Sequence, residues 1–118
     1  MKVTPLREDY GIRIVFEATV VGENEVDVDL ESSPILREVL LKLTNSEEKA
    51  ILVDLERVKY MDSSGIATLV EALQKVKKYQ GQLKIVRLRD AVRNVFELSR
   101  LDKVFDIYKT VQEATEAF

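Results

Sequence analysis

The sequence predicts an α/β fold in which helices flank a mixed β-sheet that begins with an antiparallel hairpin. From Ala50 onward, apolar strand-like runs alternate with amphipathic helical runs, a pattern typical of parallel strands joined by right-handed crossovers. The amino-terminal residues instead hold two strand candidates around a turn, which predicts the hairpin. The 118 residues are 46% hydrophobic and 33% charged, enough to build one core, so we expect a single domain over residues 1–118.

The amino-terminal elements follow from turn residues and alternation. The predicted hairpin occupies residues 4–21, and the turn at residues 7–11 contains Asp and Gly. Residues 12–20 alternate so that one face of the second strand is polar. A turn signal at residues 22–24 is followed by valines that alternate with acids, which indicates a short strand at residues 26–30.

The first helix and the first buried strand come next. Ser33 is the expected N-cap and Pro34 the first helical residue, and the helix should end near residues 44–45. The apolar run at residues 50–55 predicts a buried strand. Residues 57–61 then form a connection to a second helix.

The remaining elements repeat the strand-to-helix order. Gly81 is the expected C-cap residue of the second helix, and a strand should follow at residues 83–88. Asp90 should cap a short helix. The last strand is expected at residues 104–108, and the capping-box spacing that begins at Thr110 predicts a carboxy-terminal helix.

The composition excludes several classes of chemistry. The chain has neither cysteine nor histidine, which excludes thiol chemistry, a Ser-His-Asp triad and the usual zinc sites. The net charge of -3 disfavours nucleic acid or an anionic membrane as the main partner. No apolar run is long enough for a membrane span or a signal peptide. We therefore expect a cytoplasmic protein without a cofactor or metal ion.

The sequence Asp62-Ser63-Ser64-Gly65, termed here the serine motif, lies between the buried strand and the second helix. The first N–H groups of a helix are unpaired, and its dipole favours negative charge there, so the motif is a suitable place to add and remove a phosphate. A structural interpretation stands beside this one. Asp62 would then only cap the helix, and the hydroxyls would only satisfy the turn.

Two segments carry a resemblance to a known family. The first is Val53-Asp54-Leu55, followed after a short connection by Tyr60-Met61, the serine motif and Ile66. The second covers residues 93–105. Together they resemble the STAS domain of bacterial anti-sigma factor antagonists, also called anti-anti-sigma factors, and the resemblance covers essentially the whole chain.

The resemblance implies a binding module controlled by phosphorylation, and no enzymatic activity of its own. The unphosphorylated form would bind an anti-sigma factor serine kinase and free the sigma factor. The kinase would then phosphorylate Ser64, and a phosphoserine phosphatase would reset the protein. Acidic residues before the first helix help such proteins to contact the kinase. The implied partner-binding residues are Asp62, Ser63, Ser64, Gly65, Ile66, Glu25, Asp27 and Asp29.

The chain departs from the family pattern at two places. The acidic segment before the first helix is extended, so Glu25, Asp27 and Asp29 are alternative candidates for the kinase contact. Ala67 stands where many members have a second glycine. An alternative function within the same fold is that of an accessory subunit of a phospholipid-trafficking ABC transporter, in which the motif is not phosphorylated. A hydrolase that uses Ser64 directly is disfavoured, because a histidine base and a Gly-x-Ser-x-Gly elbow are both missing.

Overall fold

The computed structural model describes residues 1–118 and contains seven strands, four α-helices and one 3-10 helix. None of the four helices combines the length and the apolar character that a bilayer crossing requires. The elements are β1 (Lys2–Glu8), β2 (Gly11–Glu17), β3 (Val26–Val28), α1 (Ser33–Asn45), β4 (Ala50–Asp54), β5 (Val58–Met61), α2 (Ser63–Lys78), β6 (Gln82–Val86), α3 (Asp90–Leu98), the 3-10 helix (Leu101–Lys103), β7 (Asp106–Tyr108) and α4 (Val111–Glu116).

The main sheet has five strands in the order β1-β2-β4-β6-β7. β1 pairs with β2 in an antiparallel hairpin, and the other neighbouring strands are parallel. The main core includes Ile14 and Ile51 from this sheet, and residues of α1, α2 and α3 pack into it. A smaller cluster on the other face joins Leu52 to α4. The predicted mixed sheet with flanking helices is confirmed.

A second, two-stranded sheet was not predicted. Residues 57–61 were expected to be a connection, but β5 lies there and pairs in parallel with β3. The predicted short strand at 26–30 is present as β3 and does not join the main sheet. In β5 only Val58 and Met61 are buried while the two residues between them are exposed, so the segment lacks the alternation that identifies a strand.

Two predicted helix starts are shifted. Ser32, not Ser33, precedes the first residue of α1, and Pro34 is the second helical residue. Ser33 is itself buried, so its position is set by packing. Asp90 is the first residue of α3 and Arg89 precedes it. Asp90 therefore contributes negative charge to the first helical turn, where the dipole favours it, and does not act as the N-cap.

The end of α2 also differs from the prediction. Tyr79 is the C-cap, and Gln80 takes the left-handed conformation (φ +61°) that was expected of Gly81. The N–H of Gln80 donates to Lys77 O (3.2 Å) and that of Gly81 to Val76 O (2.9 Å), the two bonds of a Schellman motif. Gly81 is needed for space, because a Cβ atom there would lie 2.7 Å from the Tyr79 ring.

A charge cluster closes the carboxyl ends of β4 and β6. Asp54 is only 3% exposed and accepts hydrogen bonds from Arg13 (3.3 Å) and from two guanidinium nitrogens of Arg87. Arg87 has a left-handed backbone (φ +61°), which ends β6 before the predicted residue 88. The side chain of Arg87 also pairs with Glu56 (2.8 Å). This cluster lies on strands of the main sheet, separate from the serine motif.

Candidate functional site

Asp62 holds the start of α2. Its backbone is extended, and its Oδ1 atom accepts hydrogen bonds from the N–H groups of Ser64 (2.9 Å) and Gly65 (3.3 Å). Two of the unpaired N–H groups at the helix start are thereby satisfied. The carboxylate also lies at the positive end of the helix dipole. The structure therefore confirms that Asp62 caps the helix, as local sequence rules predict.

The two serine hydroxyls have different environments. Ser63 is exposed, and its hydroxyl has no hydrogen-bond partner within the chain. Ser64 is half-buried, and its hydroxyl donates to Asp62 Oδ1 at 2.5 Å. This bond is the largest cause that holds the pKa of Asp62 below its ordinary value. Partial burial opposes the shift, and the N–H groups of Gly65, Ser64 and Leu30 support it.

Gly65, the last residue of the serine motif, and Ile66 pack against the interior of the protein. A Cβ atom on Gly65 would lie 2.6 Å from Met61 Cγ and 2.8 Å from Val28 Cγ1, so only glycine lets α2 approach the two-stranded sheet this closely. Ile66 is 8% exposed and belongs to the main core. The structure thus leaves Ile66 little side-chain surface for direct contact with a partner. Ala67, the next residue of α2, is exposed.

The acidic segment, residues 25–29, lies beside the serine motif. The N–H of Asp62 donates to Val28 O (3.0 Å), and the nearby N–H of Leu30 helps to lower the pKa of the Asp62 carboxylate. These contacts follow from the pairing of β3 with β5, since Val28 lies opposite Met61. The structure therefore brings together the two groups of residues that the sequence placed far apart.

The three acidic candidates differ in their contacts. Glu25 forms an ion pair with Arg89. Asp29 Oδ1 accepts hydrogen bonds from the N–H of Glu31 (3.1 Å) and from both the N–H and the hydroxyl of Ser32 (3.0 Å each), so it builds the turn before α1. Asp27 is exposed, and its carboxylate has no partner within the chain. Asp27 is thus the acid most available to another molecule.

A groove of about 350 Å³ runs along this segment, and its lining is strongly acidic. Lys59 is the one basic side chain in the lining. No three metal-ligating side chains converge here or elsewhere in the chain. The acidic lining residues are Glu23, Glu25, Asp27, Asp29 and Glu31.

Two exposed apolar side chains at this site were missed by sequence reasoning. Tyr60 is 48% exposed and lies opposite Asp27 in the pairing of β3 with β5. Leu30 is 78% exposed and follows the acidic segment. The register of the two short strands would have revealed Tyr60, but that register depends on recognising β5.

Lys75, Lys77 and Lys78 lie in the last turns of α2, at the end opposite the serine motif.

Comparisons with known proteins agree with the predicted fold. Residues 19–114 match the STAS domain. The anti-sigma-B factor antagonist of Bacillus subtilis is 37% identical over 92 residues, which are 77% of this chain and 79% of the relative. The anti-sigma-B factor antagonist of Staphylococcus aureus is 32% identical over 101 residues, 86% of each chain. The structure of an anti-sigma-factor antagonist (STAS) domain protein from Planctomyces limnophilus superposes with a TM-score of 0.83 at 23% identity, covering 98% of this chain and 96% of that one.

Proposed function

We propose a partner-switching role for this chain, which belongs to the STAS domain family of anti-sigma factor antagonists. In its unphosphorylated form it binds an anti-sigma factor serine kinase in the cytoplasm and thereby frees a sigma factor. The kinase transfers a phosphate to Ser64, which ends the complex. A phosphoserine phosphatase restores the binding form. The chain itself supplies no catalytic group to either reaction.

The observation that carries the proposal is the place of the Ser64 hydroxyl. It lies at the first turn of α2, at the edge of the core, and it is held by Asp62 beside the acidic segment. A phosphate on Ser64 adds about −1.5 to −2 charges near pH 7. That charge would lie against Asp62 and near Asp27, where Lys59 is the one basic side chain of the groove lining and Arg89 is already paired with Glu25.

The way in which phosphorylation would release the kinase depends on how deeply Ser64 is buried. Because Ser64 is only half-buried and lies in the first turn of α2, two residues after the cap, we expect a phosphate there to displace no core side chain. The helix dipole favours a phosphate at this end of α2. We therefore expect phosphorylation to act by repulsion and steric conflict at the interface with the kinase, while the fold persists.

The binding surface combines charge with exposed apolar area. Asp27 supplies an unpaired carboxylate, and Tyr60 and Leu30 supply the apolar contacts that commonly dominate interface energies. Ser63 and Ser64 complete this surface at the start of α2. Gly65 and Ile66 support it from beneath, because both pack inward.

The phosphorylation step is tested by incubating the chain with anti-sigma factor kinases and ATP, followed by intact-mass measurement and peptide mapping. We expect one added phosphate, lost in Ser64→Ala and retained in Ser63→Ala. The two variants are a matched pair, because each removes one hydroxyl from adjacent residues. Mapping of the phosphate to Ser63 or to a distant threonine would contradict the assignment.

The switching step is tested by titration calorimetry of the kinase with the unmodified chain, the phosphoprotein and Ser64→Glu. The glutamate carries about one charge against about two for phosphate, so it should weaken binding only in part. The circular dichroism spectra of all three forms should agree. Equal affinity of the kinase for all three would exclude a charge-controlled switch.

A further inference from the structure

Ser63 is the more exposed of the two adjacent serines, yet Ser64 is the proposed phosphate acceptor. We propose that Asp62 resolves this choice: it is a positioning residue that makes the Ser64 hydroxyl, and not that of Ser63, the phosphoryl acceptor. This inference rests on the proposed function and adds to it the residue that determines which serine reacts.

The two hydroxyls differ in how strongly their orientation is restricted. The Ser63 hydroxyl is free to exchange among staggered rotamers, because nothing within the chain holds it. The Ser64 hydroxyl donates its hydrogen to Asp62 Oδ1 at 2.5 Å, which fixes the direction of its oxygen lone pairs. A nucleophile that is already oriented loses less freedom on reaching the transition state. Accessibility therefore favours Ser63, whereas orientation favours Ser64.

The Asp62 carboxylate is itself held in place. Oδ1 accepts from the N–H groups of Ser64 and Gly65, and the N–H of Asp62 donates to Val28 O on β3. The carboxylate is thus fixed to the start of α2, and the backbone that carries it is fixed to the two-stranded sheet. A fixed acceptor holds the hydroxyl in one direction, which a mobile carboxylate would not do.

The transfer step balances without a further reagent. Ser64 Oγ attacks the γ-phosphorus of ATP held by the kinase, and a new Oγ–P bond forms. The bond from that phosphorus to the β,γ-bridging oxygen breaks, and ADP leaves with the electron pair. The hydroxyl proton is released to water as the Oγ–P bond forms. Asp62 contributes to this step by orienting the Ser64 hydroxyl.

Asp62→Asn separates the two roles of this side chain. Asparagine is as good an N-cap as aspartate, so the helix start is kept, while the charge-assisted hydrogen bond that holds the Ser64 hydroxyl is replaced by a weaker bond to a neutral amide oxygen. With an anti-sigma factor kinase and ATP, we expect kcat for phosphorylation to fall on the order of ten-fold or more, with little change in KM. We also expect peptide mapping to find phosphate on Ser63 as well as on Ser64.

The matched control is Thr110→Ala, which removes the cap of α4 on the other face of the sheet. The Thr110 hydroxyl oxygen accepts from the N–H of Glu113 (3.1 Å), so this variant also loses a cap hydrogen bond. It should leave kcat and the distribution between the two serines unchanged. A change in that distribution in the Thr110 variant would show that the effect comes from lost stability, and it would overturn the inference.

A second measurement needs no kinase. In an NMR titration, Ser64→Ala should raise the pKa of Asp62 and Ser63→Ala should not; an unchanged pKa in Ser64→Ala overturns the inference even if Asp62→Asn does not fold. In the kinase assay, an unmodified chain that takes no phosphate overturns the proposed function and this inference together. An Asp62→Asn variant phosphorylated like the unmodified chain, at Ser64 alone and with equal kcat, overturns only the inference.

Discussion

The substitution Gly65→Ala tests the close packing beneath the serine motif. The new Cβ atom would lie 2.6 Å from Met61 Cγ, 2.8 Å from Val28 Cγ1 and 3.3 Å from Met61 Sδ. Carbon atoms in contact prefer a separation of about 3.5–4.0 Å, so the neighbours must move by about 1 Å. Met61 is flexible, but Val28 is β-branched, and both are fully buried.

The expected net effect combines two opposing contributions. Overpacking a well-packed core costs about 1–3 kcal/mol. Alanine is favoured over glycine within a helix by at most about 1 kcal/mol, and by less in the first turn, where Gly65 lies. We therefore expect the free energy of unfolding to fall by about 1–2 kcal/mol. With an unfolding entropy of about 2.1 cal/mol/K per residue, Tm should fall by roughly 4–8 °C.

Thermal unfolding followed by circular dichroism measures this change, and a double-mutant cycle with Val28→Ala identifies its cause. Val28→Ala removes one of the two neighbours that the new Cβ atom meets. The destabilisation of the double variant should therefore be smaller than the sum of the two single ones. An unchanged or raised Tm in Gly65→Ala, or strictly additive effects in the cycle, would refute the packing argument.

Three further predictions concern charged side chains. Asp27→Asn should change the free energy of unfolding by less than about 0.5 kcal/mol but should weaken kinase binding, most strongly at low salt. Asp29→Ala, which removes the acceptor of the turn before α1, should lower the free energy of unfolding by about 1 kcal/mol. Thermal melts and titration calorimetry at two salt concentrations distinguish the two effects. Asp54→Asn removes the buried carboxylate that Arg13 and Arg87 share and should lower the free energy of unfolding by about 3 kcal/mol in denaturant titrations, a value well above that of a surface change. Because the pKa of Asp62 is lowered in the folded state, its stabilising contribution is present above its unfolded pKa near 3.8 and is lost as the pH falls through the folded value. Asp62→Asn should therefore flatten the acid limb of a plot of stability against pH, and an unchanged slope would contradict that coupling.

The features that the sequence predicted correctly are those set by neighbouring residues. The Asp62 cap depends on N–H groups two and three residues ahead, and the Thr110 cap on one three residues ahead, so both could be predicted locally. The alternation of strands and helices after Ala50 likewise needs only hydrophobic periodicity. These local signals were sufficient for the main sheet and for the position of the serine motif.

The features that could not be predicted depend on contacts between distant parts of the chain. β5 lacks an alternating pattern, and it is a strand because β3 pairs with it. Glu25 and Asp27 look alike in sequence, and only the position of Arg89 shows that one is paired and the other is not. At the end of α2, Gln80 takes the left-handed conformation, while Gly81 is required for space beside Tyr79, which belongs to the same helix end.

The separate pairing of β3 with β5 affects how the proposed binding surface could evolve or be redesigned. The acidic segment contains β3, and the serine motif directly follows β5. Neither of these strands belongs to the five-stranded sheet. Under the proposed function, a change in partner preference therefore requires the two strands to vary together, while the main sheet and its core stay constant. A chimaera that exchanges residues 22–32 without residues 58–67 would combine mismatched halves of the proposed binding surface. Exchange of both ranges would transfer the whole of that surface.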